Sequence, residues 1–295
     1  MLSKHFVISG ATGFLGKELI KVLQSYYIPK ENLSLISTKE TKIQIGQQEL
    51  HTSSFNSFDI LSKIDVYFDF AFLSREKIHT LGPGKYYSEN LNVINHSVDL
   101  INKHRPKNVV LSSSGVVHKS NLSTSNNNKI YAELKLMQEK MISDACSRNH
   151  LNLITARIFN LSGEIDKVEI FALSEFVDYA KKNFTIQIKS KNMVTRRYCD
   201  TNQLLRLVLK LSEQNTSKVF DTGGAKIEIR DLAKKVIFLL NSNSKIICDP
   251  IDDSLTGDNY FSNSSEFEML VMKVLEEIPL DLDKQIMLTA KIPHN

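Results

Sequence analysis

No stretch of this sequence approaches the ~18 consecutive apolar residues that a membrane-crossing helix requires, so a transmembrane helix is excluded at the outset. The chain passes through Lys4 and His5 into a short apolar run broken by Gly10, which does not have the form of a targeting segment. Nor is there a long run of one charge sign. The 37 basic and 33 acidic residues leave a formal charge of +4 spread along the chain, and no stripe suits nucleic acid or a membrane surface. Cysteine is scarce: Cys146, Cys199 and Cys248 are odd in number and fit no metal-ligand spacing. They read as free thiols of a reducing compartment, so a cytoplasmic protein without a bound metal is expected. Internal repeats are absent, as is any linker long enough to separate independent domains. The 295 residues, 42% of them hydrophobic and 24% charged, suffice for one large α/β domain or two closely joined ones.

What is present is an alternation. Strand-like runs at 5–9, 33–37, 65–73, 108–112 and 151–158 are separated by helical stretches at 14–25, 90–103 and 130–147. That order predicts a parallel sheet covered by helices on both faces. After about residue 160 the rhythm loosens into a helix over 170–181, a strand 184–189, a helix 202–213 and a strand 218–221. A helix over 230–240, a strand 245–248 and two C-terminal helices follow. The polar segment KSNLSTSNNNK, Lys119 to Lys129, predicts a mobile surface loop directly before Tyr131.

The stretch SGATGFLGKELIKVL, Ser9 to Leu23, carries glycines at spacing three, Gly10, Gly13 and Gly16, and then Leu15, Leu19, Ile20 and Leu23 at helical spacing. A glycine triplet by itself fits any tight turn. Here the buried-strand pattern HFVIS precedes it and a helix starts within it, the context of a phosphate cradle in which backbone N–H groups and the positive helix end approach a pyrophosphate. Gly10, Thr12, Gly13, Phe14, Leu15 and Gly16 are the candidate cofactor contacts. At the end of the second strand, where an acidic group would select NAD through the ribose hydroxyls, the chain reads Ser37, Thr38, Lys39. Hydroxyls and an ammonium would bind a 2′-phosphate, which favours NADP, with NAD possible. Lys39 equally fits a solvated surface charge.

In VVLSSSGVV, Val109 to Val117, a buried strand runs into three serines at the end where a parallel sheet binds ligands. A serine-rich turn fits the same letters. In YAELK, Tyr131 and Lys135 lie at i and i+4 on one helix face. The chain holds a decoy, Tyr26 and Lys30 in YYIPK, where Pro29 forbids a regular helix interior. Bringing a phenol of pKa near 10 toward neutrality by ~2 to 3 units requires about 3 to 4 kcal/mol of differential phenolate stabilisation. The Lys135 ammonium and a cationic nicotinamide are the expected sources. Tyr131 would then exchange a proton with a carbinol oxygen that Ser114 hydrogen-bonds.

The glycine loop, the serine-bearing strand end and YxxxK, in this order, resemble the NAD-dependent epimerase/dehydratase family of extended short-chain dehydrogenases/reductases, enzymes of nucleotide sugars. The resemblance covers about residues 1–240 and implies a Rossmann-type doubly wound parallel sheet with a smaller C-terminal substrate-binding lobe. The NAD(P)-binding domain would be residues 1–160, also receiving 190–222, and the lobe mainly 161–295. DVYFDFAF resembles the fourth strand, with Ala71 against the cofactor, and ENLNVINHSVDLI the helix opening with a structural asparagine, Asn90. ARIFNLSG and VTRRYC resemble segments that hold the substrate's phosphates, through Asn160 and through Arg196, with Arg197 as the fallback. FDTGGAKIEIRDLAKKV resembles the stretch after the last sheet strand. The lysine, here Lys135, would also hold the nicotinamide ribose. A homodimer is implied, with the 130–147 helix, which carries Leu134, Met137, Met141 and Ala145, pairing with the 90–103 helix across a twofold axis.

Two departures bear on the activity. Val116, Val117 and His118 follow where Val-Tyr-Gly is common, so His118 is an outlying candidate for proton work or a plain loop histidine, and the spacing from Ser114 to Tyr131 is short for a sugar epimerase. Gly115 and Val116 after Ser114 supply no carboxylate for dehydration or decarboxylation and no cysteine for inversion of neighbouring carbons. What remains is hydride chemistry at one carbon. The expectation is NADPH-dependent reduction of a 4-keto sugar nucleotide with Tyr131 as proton donor. A 4-epimerase retaining NAD is the alternative, and a non-catalytic NADP-binding sensor or scaffold a further one.

Overall fold

The computed structural model describes residues 2–60, 62–119, 126–163 and 171–291. The chain forms two compact units, Met1–Arg157 with Leu205–Phe220, and Ile158–Leu204 with Asp221–Asn295. In the first, β1 (Phe6–Ser9) runs through the glycine loop into α1 (Phe14–Ser25), followed by β2 (Leu33–Ser37), β3 (Thr41–Ile45) and β4 (Gln48–Ser54). Next come β5 (Val66–Asp69), α2 (Lys77–Leu81), α3 (Pro83–His104), β6 (Asn108–Ser114), α4 (Asn126–Arg148) and β7 (Asn152–Ile158). α1 stops at Ser25, so the decoy tyrosine Tyr26 is its C-cap and Pro29 lies beyond it. α3 starts earlier than expected, at Pro83, whose missing N–H suits a first helical turn. Most of the expected loop at 119–129 and the first residue of the helix expected from Ile170 lie outside the described residues. Asn126–Lys129, expected in that loop, already belong to α4.

The second unit contributes β8 (Asn160–Ser162), α5 (Ala172–Lys181), β9 (Ile186–Ile188) and β10 (Val194–Asp200). α6 (Thr201–Glu213) then leads back to β11 (Lys218–Asp221) in the first unit. The returning segment is Leu205–Phe220, shorter than the expected 190–222, because β10 is tied into the second unit's own sheet. β12 (Ala225–Glu228), α7 (Ile229–Leu239), β13 (Ile246–Cys248), β14 (Asp258–Tyr260), α8 (Glu266–Leu270) and α9 (Leu282–Ala290) complete it. β10 pairs antiparallel with β12 and parallel with β14 and β8. The second unit's core joins Leu173 and Phe176 of α5, Leu232 and Val236 of α7 and Ile286 of α9 to Ile186 and Ile188 of β9 and Tyr198 of β10.

The first unit is built on an eight-stranded sheet of order β11-β7-β6-β5-β1-β2-β4-β3. β1 is parallel to both β2 and β5, β2 to β4, and β5 to β6, with the β3–β4 hairpin antiparallel at the edge. FVIS of β1 is buried throughout, as a central parallel strand covered on both faces must be. The chain leaves β1 toward β2 on one side and later toward β5 on the other. This reversal is the switch point where such sheets open a crevice at the strands' carboxyl ends, here after Ser9 and Asp69, which lie side by side. Residues 70–73, expected to prolong β5, leave the sheet there. α3 and α4 cover the neighbouring core of Tyr67, Val109, Leu100 and Ile142. Leu134 and Ala145 of the expected dimer stripe are fully buried within the chain, while Met137 and Met141 are half-buried. Among the described residues no helix is long and apolar enough to cross a membrane.

Candidate active site

Gly10 takes φ +70, and a Cβ there would meet the Phe70 carbonyl oxygen at 2.6 Å. A Cβ on Gly16 would collide with the Gly10 carbonyl and the Ala11 backbone, so only glycine lets α1 pack this closely on its own loop. Gly13 is the N-cap of α1, and no side chain caps the helix there. Close backbone approach and an uncapped helix start fit the pyrophosphate of a dinucleotide. A cavity of about 300 Å³ opens on this loop, lined by Gly10, Thr12, Gly13, Ser37, Thr38 and Ala71 of the sequence-predicted set. Phe14 and Leu15 stand half-buried in the first turn of α1, and Gly16 packs behind. Ser54, Phe55 and Asn56 at the end of β4, and Asn92 and His96 of α3, line the same cavity, with the His96 ring stacked on Phe55 at 5.2 Å. Sequence reasoning missed this wall because it did not find β4, although the alternation TKIQI before Gly46 was a hairpin signal.

At the end of β2, the buried Ser37 hydroxyl donates to the Lys39 carbonyl and hydrogen-bonds Thr52 Oγ1 at 2.7 Å. It therefore holds the turn in which Thr38 and Lys39 stand exposed. Asn90 is buried and structural: Oδ1 accepts from the Leu73 N–H at 2.8 Å and Nδ2 donates to the Tyr86 carbonyl at 3.1 Å, fixing the segment after β5 to α3.

Ser114, Tyr131 and Lys135 come together in the first unit. Ser114, the last residue of β6, neighbours the Tyr131 phenol and favours its ionised form. The phenol's proton affinity differs from the expectation. Burial pushes its pKa up from the ordinary tyrosine value, opposed by the Ser114 hydrogen bond and the charge of Arg75. The Lys135 ammonium is turned to other partners: Nζ donates to the Ser112 carbonyl at 3.1 Å and to Gln138 Oε1 at 3.0 Å. Burial drives its pKa down to about 7 against the pull of Asp69 and Glu139. The ring of Phe72 covers this ammonium at 3.8 Å and meets the Tyr131 ring edge-on at 5.9 Å. His118 is exposed in the 3₁₀ turn Gly115–Lys119.

The other predicted residues lie in the second unit. Asn160 Nδ2 donates to the carbonyls of Arg197 (3.1 Å) and Tyr260 (3.3 Å). Arg196 donates to Asp258 Oδ2 at 2.6 Å and to the Asp258 carbonyl at 2.8 Å. Arg197 donates to the carbonyls of Gly224, Ser262 and Ser264 and to the Glu268 carboxylate, which also accepts from the Gly224 N–H. That guanidinium is fully employed in holding residues 262–268, a structural role. Among the described residues no group of three His, Cys, Asp or Glu side chains could hold a metal ion.

Comparison with curated proteins yields no match. Solved structures share the fold. UDP-N-acetylglucosamine 4-epimerase from Methanobrevibacter ruminantium M1, in complex with UDP-N-acetylmuramic acid, is 16% identical with a TM-score of 0.75, covering 99% of this chain and 98% of that one. UDP-glucose 4-epimerase from Thermus thermophilus, complexed with NAD, is 13% identical with a TM-score of 0.73, over 97% and 98%. An NAD-dependent NDP-hexosamine 5,6-dehydratase of tunicamycin biosynthesis is 14% identical with a TM-score of 0.75, over 98% and 97%. At such identities these structures speak for the architecture alone: a mixed α/β, Rossmann-like fold with a large, mostly parallel sheet. The sequence itself carries the assignment, since the family model matches residues 6–223, most of the chain: the protein belongs to the NAD dependent epimerase/dehydratase family.

Proposed function

We propose that the protein is a ketoreductase of nucleotide-linked sugars, reducing a 4-keto sugar with NADPH. The observation that carries this reading is the Tyr131 phenol, buried beside Ser114 at the end of β6, in the same unit as the Gly10–Gly16 cradle. When bound, the nicotinamide dinucleotide supplies the hydride. Gly10, Thr12 and Gly13 would hold its pyrophosphate, and Ala71 would lie against it. A phenol whose pKa burial has raised keeps its proton at neutral pH and is suited to donate it to the ketone oxygen as that oxygen gains charge. Ser114 orients the same oxygen, and Lys135 holds the ribose. Asn160 and Arg196 of the second unit would take the nucleotide diphosphate, making that unit the substrate lobe.

The exposed Thr38 and Lys39, where an acid would select NAD, favour NADPH. A 4-epimerase that retains NAD is the second reading. It is favoured by the Ser37 hydroxyl, which is already committed to Lys39 and Thr52, and by the NAD bound in a solved neighbour. Purified protein tested against 4-keto sugar nucleotides should consume NADPH and bind it at least tenfold tighter than NADH, about 1.4 kcal/mol, with the preference lost in Lys39→Ala. Release of stoichiometric NAD on denaturation would install the epimerase, and cofactor binding without turnover on any substrate the sensor. A cytoplasmic homodimer through α3 and α4 belongs to the same proposal, with Tyr87 and Leu136 exposed on those helices. Sedimentation at micromolar concentration showing monomer alone would remove the dimer.

A further inference from the structure

Asp69, the last residue of β5, is fully buried. Its Oδ1 accepts hydrogen bonds from Ser9 Oγ (2.9 Å) and Ser97 Oγ (3.0 Å), and the Tyr67 hydroxyl, 3.3 Å from the same oxygen, lies closer to Ser9 Oγ (3.0 Å) and Ser97 Oγ (2.9 Å). Two serine hydroxyls donating to one oxygen, themselves linked through the Tyr67 phenol, favour the ionised carboxylate. Its other oxygen accepts from Gln138 Nε2 at 3.4 Å, and Oε1 of that same amide accepts from Lys135 Nζ at 3.0 Å. An ammonium only donates and a carboxylate only accepts, so this orientation of the amide alone serves both neighbours.

A carboxylate at this depth is costly unless an opposite charge repays it. The charged and titratable groups around Lys135 narrow the choice of partner. Glu139, next to Gln138 on α4, is held by a two-point ion pair with Arg157 of β7 (2.9 and 2.7 Å). Tyr131 on the same helix and Tyr67 on β5 are phenols that burial keeps protonated. Asp69 is left as the counter-charge. We propose that Asp69, acting through the Gln138 amide, is a positioning residue that favours the charged form of Lys135 and aims it within the candidate active site. Its catalytic meaning rests on the proposed function, whereas the electrostatic link does not.

The test follows the Lys135 side chain directly. The full chain is labelled with lysine carrying ¹³C at the ε carbon, the Lys135 signal is identified by its loss in Lys135→Met, and its titration is read by NMR from about pH 5 to 10. Asp69→Asn and Gln138→Leu should each lower the midpoint by about one pH unit or more, and Gln138→Glu, which brings a carboxylate into direct contact, should raise it. A purely structural amide would not move the midpoint in opposite directions. Midpoints within about 0.2 unit of the parent protein in Gln138→Leu and Gln138→Glu would overturn the proposal. That pair decides it even if Asp69→Asn fails to fold. The titration requires no substrate, so a protein that turns over no keto sugar would still give a clear answer here.

Discussion

The phenyl ring of Phe72 lies over the ammonium of Lys135, with Nζ 3.8 Å from the ring centroid. With Ser112 and Gln138 as its hydrogen-bond acceptors, the ammonium is thereby covered on its remaining side. This ring also lines the cavity, so it stands between that space and the ammonium it covers. Cation–π contacts of this kind contribute about 0.5 to 2 kcal/mol, so the ring competes with the cofactor for the lysine. Phe72→Ala is expected to tighten NADPH binding by at least about threefold, measured by quenching of NADPH fluorescence. Weaker binding would instead make the ring a support for the nicotinamide half.

Tyr131→Phe removes one hydroxyl and retains the ring that meets Phe72. Turnover on a keto sugar nucleotide should fall by at least about a hundredfold with cofactor affinity nearly unchanged, because the loss is confined to proton transfer. Activity retained in this variant would remove Tyr131 from the mechanism.

Lys135 also leaves a mark on stability. Its folded pKa is about 7, against about 10.4 for an unfolded lysine. Between those values the unfolded chain binds the extra proton, so this group's contribution to stability rises with pH across the window. His5 and His104, lowered by burial, act in the same direction but only below their ordinary value of 6.5. Cys146 and Cys199, pushed up to about 12 from 9.0, act oppositely at the alkaline end. Asp69, raised by burial, acts oppositely above 3.8, and removing the ammonium would raise it further. From pH 7 to about 8.5 the parent protein should therefore gain on the order of 1 to 2 kcal/mol relative to Lys135→Met. Parallel melting curves for the two proteins would show that Lys135 is not titrating there.

Legibility from sequence followed the range of the interactions involved. α1, β2 and β11 match the expected Phe14–Ser25, Leu33–Ser37 and Lys218–Asp221 because local periodicity sets them. β8, β12 and β14 are three- or four-residue strands stabilised by pairing with β10, far away in the chain, and no local pattern announces them. The candidate site divides in the same way. Tyr131 and Lys135 declared themselves at i and i+4, and Ser114 at a strand end. Asp69, Phe72 and Gln138 acquire meaning only where β5, β6 and α4 meet. The direction in which Lys135 points was likewise decided by the Ser112 carbonyl, which spacing along one helix does not reveal.

Adjacent arginines on β10 test how far such letters mislead. Arg196 and Arg197 are equivalent in VTRRYC, yet strand alternation sends them to opposite faces. Arg197 spends its guanidinium on three carbonyls and the Glu268 carboxylate. Truncating it would strand a largely buried carboxylate, a loss of about 3 to 5 kcal/mol where a buried pair is broken. Arg196 pairs with the partly exposed Asp258, an arrangement of small net value that a diphosphate could replace. Arg197→Ala should therefore lower the melting temperature markedly. Arg196→Ala should melt close to the parent protein and raise KM for the nucleotide sugar far more than it lowers kcat. An Arg196→Ala enzyme with unchanged KM would move the diphosphate away from β10 and put the substrate class itself in question.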